Sequence, residues 1–210
     1  FQDKIKVIPP LIDEELFNQV KNNGIELNAN RDILKLVFTG TLYSKLRNPV
    51  SLLDLLEEAN GSINKKIEMH FYGLTNDFRI SELKEYNYSV FFHGEVDKQE
   101  VIKQQISADV LVNIGNSTHY QLPSKIVDYA ITGKPILNIS SLIEDSSSRF
   151  LESYKNSKTV CLKGVINKNE VSEVVSFLNS QRLLSLKEVE EFIHPHRVQQ
   201  ISKAYNELLR

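Results

Sequence analysis

Short runs of apolar residues alternate along the chain with stretches whose apolar positions recur every three or four residues. The short runs are apolar at consecutive positions, which is typical of strands buried on both faces of a parallel sheet. The predicted strands are residues 34–39, 67–72, 89–92, 110–114, 135–139 and 159–162. Because helical patterns separate these runs, the sequence predicts an α/β fold, a doubly wound parallel sheet with helices on both faces.

The stretches with helical periodicity carry their own start and stop signals. Asn48 precedes Pro49 and an apolar stripe of leucines, and both residue types are favoured where a helix begins. Pro195 interrupts the pattern near the C-terminus, because proline lacks the amide that a helix interior needs. The predicted helices are 13–22, a helix with Pro49 at its first position, 77–86, 97–107, 124–132, 146–155, 168–179, 185–192 and 197–209.

Composition and charge narrow the function classes. The 210 residues are 41% hydrophobic and 25% charged, which is typical of an ordinary soluble globular protein. The net charge of -2 and the absence of any block of like charges give no field that would attract nucleic acid, so no such partner is expected. The single cysteine, Cys161, excludes an internal disulfide. Without a secretory signal or a long apolar span, we expect a cytoplasmic location.

Glycine follows four predicted strands at the edge where open parallel sheets bind ligands. These residues are Gly40, Gly73, Gly94 and Gly115. A glycine there lets the backbone turn sharply and approach a ligand closely, although turns alone also favour glycine. Four of them at one edge favour a binding crevice. The chain contains no Gly-x-Gly-x-x-Gly and no phosphate loop with Gly-Lys-Ser/Thr, which argues against a dinucleotide-binding dehydrogenase or an ATPase.

The segment 121–136 combines a helix start, a carboxylate and a helix stop between two apolar strands. Pro123 suits the first helical position, and Ser124 and Lys125 then bring a hydroxyl and a cation to a terminus with positive dipole charge. Asp128 shares the helix face of Ser124, where its carboxylate can accept hydrogen bonds from sugar hydroxyls. The segment therefore predicts an anion site, although Ser124 as a helix cap and Lys125 as a solvated cation remain alternatives.

Further candidates at this edge each have a simpler alternative. Arg47 carries a planar fork that can bind two phosphate oxygens, but a solvated loop arginine is equally consistent with the sequence. His93 and His119 lie in loops, where a histidine is more often structural than a catalytic base. The His-Pro-His sequence at 194–196 has no nearby cysteines or spaced carboxylates, so we predict no metal site. No nucleophile pattern is evident, and the catalytic residues stay unassigned.

Several short motifs follow one another between residues 33 and 140. They are Phe38-Thr39-Gly40-Thr41-Leu42 with Arg47-Asn48-Pro49, Phe71-Tyr72-Gly73, Phe91-Phe92-His93-Gly94, Ala108-Asp109-Val110-Leu111-Val112, and Pro123-Ser124-Lys125 with Asp128-Tyr129 and Gly133-Lys134-Pro135-Ile136-Leu137. As a set, these motifs resemble the C-terminal, donor-binding half of GT-B glycosyltransferases of the group 1 type. The resemblance implies a Rossmann-like domain, one half of a GT-B fold, that binds a nucleotide-diphosphate sugar.

The resemblance also implies roles for individual residues. The donor diphosphate would be bound by Thr41, Arg47, Ser124 and Lys125, and the ribose by Asp128. The sugar would face Tyr120 and Gln121. The rim of the base pocket would be formed by Gly73, His93 and Gly94. Two glutamates serve the donor in the family's usual pattern. Here Asp128 takes the place of one, and Tyr120 takes the place of the other.

The whole enzyme implied by the resemblance would transfer a hexosyl group to an acceptor hydroxyl, with retention and without a metal or other cofactor, in polysaccharide or glycolipid biosynthesis. Residues 1–32 would be a linker with a leading strand and helix from the N-terminal half, 33–182 the nucleotide-sugar-binding domain, and 183–210 helices that pack on it or reach toward the other half. Since the chain opens on Phe1 rather than Met, we expect an upstream acceptor-binding domain, without which the chain is inactive. A glycolipid product would bring the full enzyme to the inner face of the membrane.

A second hypothesis about the function remains open. The chain would then be a non-catalytic doubly wound module of the same fold that binds a small ligand or another protein, and the substitution at Tyr120 favours it. A receiver-type phosphoacceptor is disfavoured, because Asp109 lies at the start of a predicted strand rather than at its end.

Overall fold

The computed structural model describes residues 8–24, 32–116 and 118–208. Its centre is one sheet of six parallel strands in the order β3-β2-β1-β4-β5-β6. The strands are β1 (Ile33–Thr39), β2 (Lys66–Tyr72), β3 (Ser89–Phe92), β4 (Val110–Ile114), β5 (Ile136–Ser140) and β6 (Ser157–Cys161). The predicted parallel sheet is confirmed, and the predicted strands differ from these only by small shifts at their ends.

Helices cover both faces of this sheet. They are α1 (Glu14–Asn23), α2 (Val50–Asn60), α3 (Lys98–Ser107), α4 (Lys125–Ile131), α5 (Ser146–Leu151), α6 (Lys168–Asn179), α7 (Leu186–Ile193) and α8 (Val198–Leu208). Each face has its own hydrophobic core, with Leu55 of α2 and Val174 of α6 on one side and Phe17 of α1 and Tyr129 of α4 on the other. The doubly wound arrangement follows from strands that are apolar on both faces.

One predicted helix is wrong. Residues 77–86 contain only a single 3₁₀ turn, Ile80–Glu82, because this segment is held to the body by scattered anchors rather than by one apolar stripe. Phe78 is buried in the core, the Asp77 carboxylate binds the amide and hydroxyl of Ser44, and the Tyr86 hydroxyl donates to Asp54. An extended segment with such anchors does not need helical periodicity.

Smaller differences concern the ends of elements. Helix α4 begins at Lys125, so Pro123 precedes it instead of occupying its first turn. Helix α5 ends at Leu151, earlier than predicted. Residues 1–7 and 25–31, which belong to the predicted linker with its leading strand, lie outside the described residues.

The sheet opens between β1 and β4, where the strand order reverses. Strand β1 pairs with β2 along its whole length, but with β4 only through Leu36 and Val37. At the carboxyl end of β1 the Thr39 amide donates instead to the buried Tyr129 hydroxyl at 2.8 Å. A gap at the reversal point of a doubly wound sheet is where such folds bind ligands.

Lys134 is a fully buried cation at the opposite, amino edge of the sheet. Its Nζ donates to the Ala108 carbonyl at 2.5 Å, and burial lowers its pKa to about 8, against the opposing influence of Asp109. Below pH 8 the lysine is charged in both the folded and unfolded chain. Above pH 8 the unfolded chain binds more protons than the folded chain, so the free energy of unfolding rises with pH until about 10.5, the ordinary lysine pKa.

We therefore expect the free energy of unfolding to rise by up to about 1.4 kcal/mol per pH unit between pH 8 and 9.5 through Lys134. Urea unfolding of the unmodified chain and of Lys134→Met over this range measures the contribution. Cys161, whose pKa is raised by burial, acts in the opposite direction but equally in both proteins. Identical pH slopes in the two proteins would contradict the account of Lys134.

Candidate functional site

The loops after β1, β2 and β3 meet at the carboxyl edge of the sheet. The Gly73 amide donates to the Gly94 carbonyl at 2.7 Å, and the Gly40 amide donates to the Tyr72 carbonyl at 2.8 Å. Gly73 has φ +128°, and a Cβ placed on it would lie 2.2 Å from the Gly40 carbonyl oxygen. Glycine is thus required here for contact between two loops, and the predicted rim residues Gly73 and Gly94 are neighbours.

His93 extends this rim as part of an aromatic stack. Its ring lies 4.2 Å from that of Tyr72, and its Nε2 is 2.9 Å from Nδ1 of His70. The other ring nitrogen of His70 faces the Glu68 carboxylate at 3.3 Å, so it carries a proton, and in the neutral pair His93 donates to His70. Partial burial lowers the pKa of His93, and its imidazole is exposed at the edge of the sheet.

Arg47 lies over the gap between β1 and β4. Its Nε donates to Oδ1 of Asn116 at 2.7 Å, and a Cβ on Gly40 would lie 3.8 Å from its Nη1. Its two terminal nitrogens form no hydrogen bond or ion pair with residues 8–24, 32–116 or 118–208. The guanidinium is therefore held by one nitrogen, and the fork remains available to an anion. Thr41 follows Gly40 in the same loop and is half-buried.

Asn116 is the residue that the sequence reasoning missed. It directly follows Gly115 at the end of β4 and is only 4% exposed. Its Nδ2 donates to the Gln121 carbonyl at 3.0 Å, so this one amide joins the Arg47 loop to the segment before α4. The available signal was an asparagine directly after the glycine of a central strand. Tyr120, next to Gln121, is 85% exposed.

Helix α4 brings the second cation and the carboxylate to the edge. Lys125 and Asp128 form an ion pair at 3.2 Å, and the Asp128 side chain is 21% exposed. Burial raises the pKa of Asp128, while Lys125 lowers it and Asp13 raises it further. Ser124 is exposed and occupies the N-cap position of α4, but its hydroxyl forms no capping hydrogen bond to the helix.

The contacts divide the predicted site residues into connected and separate groups. One group forms a continuous series of contacts along the edge: Gly94, Gly73, Gly40, Arg47 and Gln121. Asn116 belongs to this series, because it connects Arg47 to Gln121. The Lys125–Asp128 pair lies apart from this series, and no described hydrogen bond joins it or Tyr120 to Arg47. A ligand that spans the edge would be needed to bring these groups together.

The remaining candidates have structural explanations. His119 Nδ1 donates to the Glu144 carbonyl at 2.9 Å, and His196 Nδ1 donates to the Pro10 carbonyl at 3.0 Å. In the part of the chain that the structure describes, no three His, Cys, Asp or Glu side chains are grouped to hold a metal ion. No described helix is both long and apolar enough to cross a membrane.

A small cleft of about 100 Å³ adjoins the Arg47 loop, with Lys45, Asn48, Ser51 and Ser140 among its lining residues. Pockets that enclose small organic ligands are typically about 300 to 1,000 Å³. A ligand as large as a nucleotide would therefore extend beyond this cleft and across the open edge.

Comparison with known proteins identifies the fold. No protein-family model and no curated protein sequence matches the chain. Among solved structures, HepE of Anabaena in complex with UDP superimposes with a TM-score of 0.63 at 14% identity, over 97% of this chain and 57% of that one. AviGT4, a glycosyltransferase involved in avilamycin A biosynthesis, superimposes with a TM-score of 0.61 at 13% identity, over 99% of this chain and 58% of that one. WaaG, a glycosyltransferase involved in lipopolysaccharide biosynthesis, superimposes with a TM-score of 0.59 at 13% identity, over 97% of this chain and 56% of that one.

These matches confirm, at the level of the fold, the resemblance to GT-B glycosyltransferases. The chain spans a little over half the length of each of these three structures. One neighbour, HepE, has been solved with UDP, with UDP-glucose, and with UDP and glucose.

Proposed function

We propose that the chain is the donor-binding domain of a glycosyltransferase and holds a nucleotide-diphosphate sugar across the carboxyl edge of its sheet. The observation that carries the proposal is the position of Arg47, whose guanidinium lies over the gap between β1 and β4 and whose terminal nitrogens form no hydrogen bond with a described residue. This is the reversal point of the sheet, and the group placed there is suited to two phosphate oxygens.

In this proposal the cations and the carboxylate bind different parts of the donor. Arg47 and Lys125 bind the diphosphate, with Thr41 and Ser124 as hydroxyl donors, and Asp128 accepts hydrogen bonds from the ribose. Lys125 exchanges its partner Asp128 for phosphate, which costs little because a partly exposed ion pair contributes about 0 to 1 kcal/mol. Asp128, released from Lys125, is then free to accept from ribose hydroxyls. The base lies toward Gly73, His93 and Gly94, and the sugar toward Tyr120 and Gln121.

The reaction breaks the bond between the sugar's anomeric carbon and the diphosphate and forms a bond from that carbon to the oxygen of an acceptor hydroxyl, whose proton passes to the departing diphosphate. The nucleoside diphosphate leaves with negative charge, which Arg47 and Lys125 neutralise. The transfer is of a hexosyl group, retaining and metal-independent, and supplies polysaccharide or glycolipid. It requires an acceptor-binding N-terminal domain, so the 210 residues bind donor without transferring it. In this account residues 1–32 link the domains, 33–182 bind the donor, and 183–210 pack on it or reach its partner.

A non-catalytic module of the same fold is the second candidate. Its support is Tyr120, which is 85% exposed at a position where the family resemblance implies a glutamate. A tyrosine has no carboxylate, so the sugar-facing role would be lost while the diphosphate and ribose contacts remained. Sugar transfer by the complete protein distinguishes the two candidates, because the module would bind a nucleotide without turnover.

Asp128 provides the test of the ribose assignment. We expect Asp128→Ala to weaken UDP binding by about 5- to 150-fold, because charge-assisted hydrogen bonds contribute about 1 to 3 kcal/mol. UDP that lacks the 2′ and 3′ hydroxyls should not show this loss. Isothermal titration of the four protein–ligand combinations separates the ribose contact from any effect of freeing Lys125, which is common to both ligands.

Asp54→Ala is the matched control, because Asp54 is also a half-buried helical carboxylate and is ion-paired with Lys84 at 2.7 Å. It should leave UDP binding unchanged. An equal loss for UDP and its dideoxy analogue in Asp128→Ala would show that the carboxylate does not act through ribose.

A further inference from the structure

We infer that Asn116 is a positioning residue that orients the Arg47 guanidinium toward the donor diphosphate. The inference rests on the proposed function and adds to it a residue that does not itself touch the ligand. Asn116 is nearly fully buried, whereas the groups it joins, the Arg47 side chain and the Gln121 carbonyl, belong to loops at the ligand-facing edge.

The orientation of the Asn116 amide is fixed by its partners. Arginine can only donate, so the atom that faces Arg47 Nε at 2.7 Å is the oxygen of the amide. A backbone carbonyl can only accept, so the atom that faces the Gln121 carbonyl at 3.0 Å is the nitrogen. Both halves of the amide are therefore used, and a flipped side chain would lose both bonds.

The backbone that carries Asn116 is also fixed. The preceding Gly115 donates its amide to the Ile139 carbonyl at 2.8 Å, and a Cβ on Gly115 would lie 2.2 Å from Oδ2 of Asp145. Asp145 is fully buried and caps α5, where its Oδ1 accepts from the Ser148 amide at 2.7 Å. The Asn116 amide thus projects from a rigid base formed by β4, β5 and α5.

By comparison, the Arg47 side chain has few restraints of its own. Its backbone carbonyl accepts from the Tyr43 amide at 3.3 Å, but the guanidinium has Asn116 as its one hydrogen-bond partner among the residues described. A hydrogen bond to Nε fixes the plane of the guanidinium and leaves Nη1 and Nη2 as a parallel pair of donors. A neutral acceptor also leaves the positive charge uncompensated, which an aspartate at this position would not do.

The expected effect is on phosphate affinity alone. We expect Asn116→Ala to weaken UDP binding about 5- to 10-fold, through the lost preorganisation of Arg47, and to leave uridine binding unchanged. In the Arg47→Ala background, Asn116→Ala should have no further effect on UDP, because the side chain it orients is absent. Asn179→Ala is the control, since the Asn179 amide also joins two separate groups through both of its atoms, the Asn64 amide and the Ser62 carbonyl, at the C-terminal end of α6.

The experiment is titration calorimetry with UDP and uridine on the four proteins of the Arg47/Asn116 cycle, on the control, and on Asn116→Ser as a second variant that cannot reach both partners. Losses for UDP that are additive with Arg47→Ala, or a loss equal to that of Asn179→Ala, would overturn the inference while leaving the proposed function intact. Failure of the unmodified chain to bind any of UDP, GDP and ADP would instead overturn the proposed function, and with it the inference.

Discussion

Replacing Gly73 by alanine is expected to destabilise the fold by about 2 to 6 kcal/mol, since a clash with backbone and a strained φ each cost about 1 to 3 kcal/mol. The new Cβ would lie 2.2 Å from the Gly40 carbonyl oxygen, and this atom cannot rotate away as a side chain could. At φ +128° an L-residue is strained whatever space surrounds it. The loops after β1 and β2 would have to separate at the edge where the donor is proposed to bind.

Urea unfolding of Gly73→Ala beside Gly94→Ala isolates the clash. Gly94 has φ +72° and no atom within 4 Å of its would-be Cβ, so its substitution should cost only the backbone strain of about 1 to 2 kcal/mol. Gly61, with φ -67° and equally open surroundings, should tolerate alanine with little change. A cost for Gly73→Ala no greater than that for Gly94→Ala would contradict the close approach of the two loops.

The sheet could be predicted from the sequence because its strands are short, apolar and bounded by polar turns. Strand β4 is buried at every position, and its pattern needs no knowledge of the neighbouring strands. The prediction of a helix at 77–86 was wrong for the opposite reason. Its conformation is set by contacts with α2 and with Ser44, which lie elsewhere in the chain and leave no local signal.

The candidate site was predicted in its parts but not in its connections. Arg47 was recognised from its chemistry, and the proposal that it binds an anion rests on its place over the gap between β1 and β4. Asn116 was assigned no role, because one asparagine directly after the glycine of a central strand is a weak signal on its own. Its role arises only when the fold brings Arg47 and Gln121 to opposite ends of its amide.

The largest effect expected on binding is the preference for a diphosphate over the bare nucleoside. Arg47 and Lys125 each offer charge-assisted hydrogen bonds, which contribute about 1.5 to 3 kcal/mol apiece. Exchange of the Lys125–Asp128 pair reduces this total by about 1 kcal/mol at most. The remainder, about 3 kcal/mol, corresponds to roughly 100-fold tighter binding of the diphosphate. The preference should shrink as salt is added, because the cations lie at an open edge.

The most direct test is calorimetric titration of the 210-residue chain with UDP, GDP and ADP, and with uridine, guanosine and adenosine, at low ionic strength without divalent metal. We predict saturable one-to-one binding of at least one diphosphate, about 100-fold tighter than its nucleoside. No saturable binding at millimolar diphosphate, or equal affinity for a diphosphate and its nucleoside, would contradict a donor site at this edge.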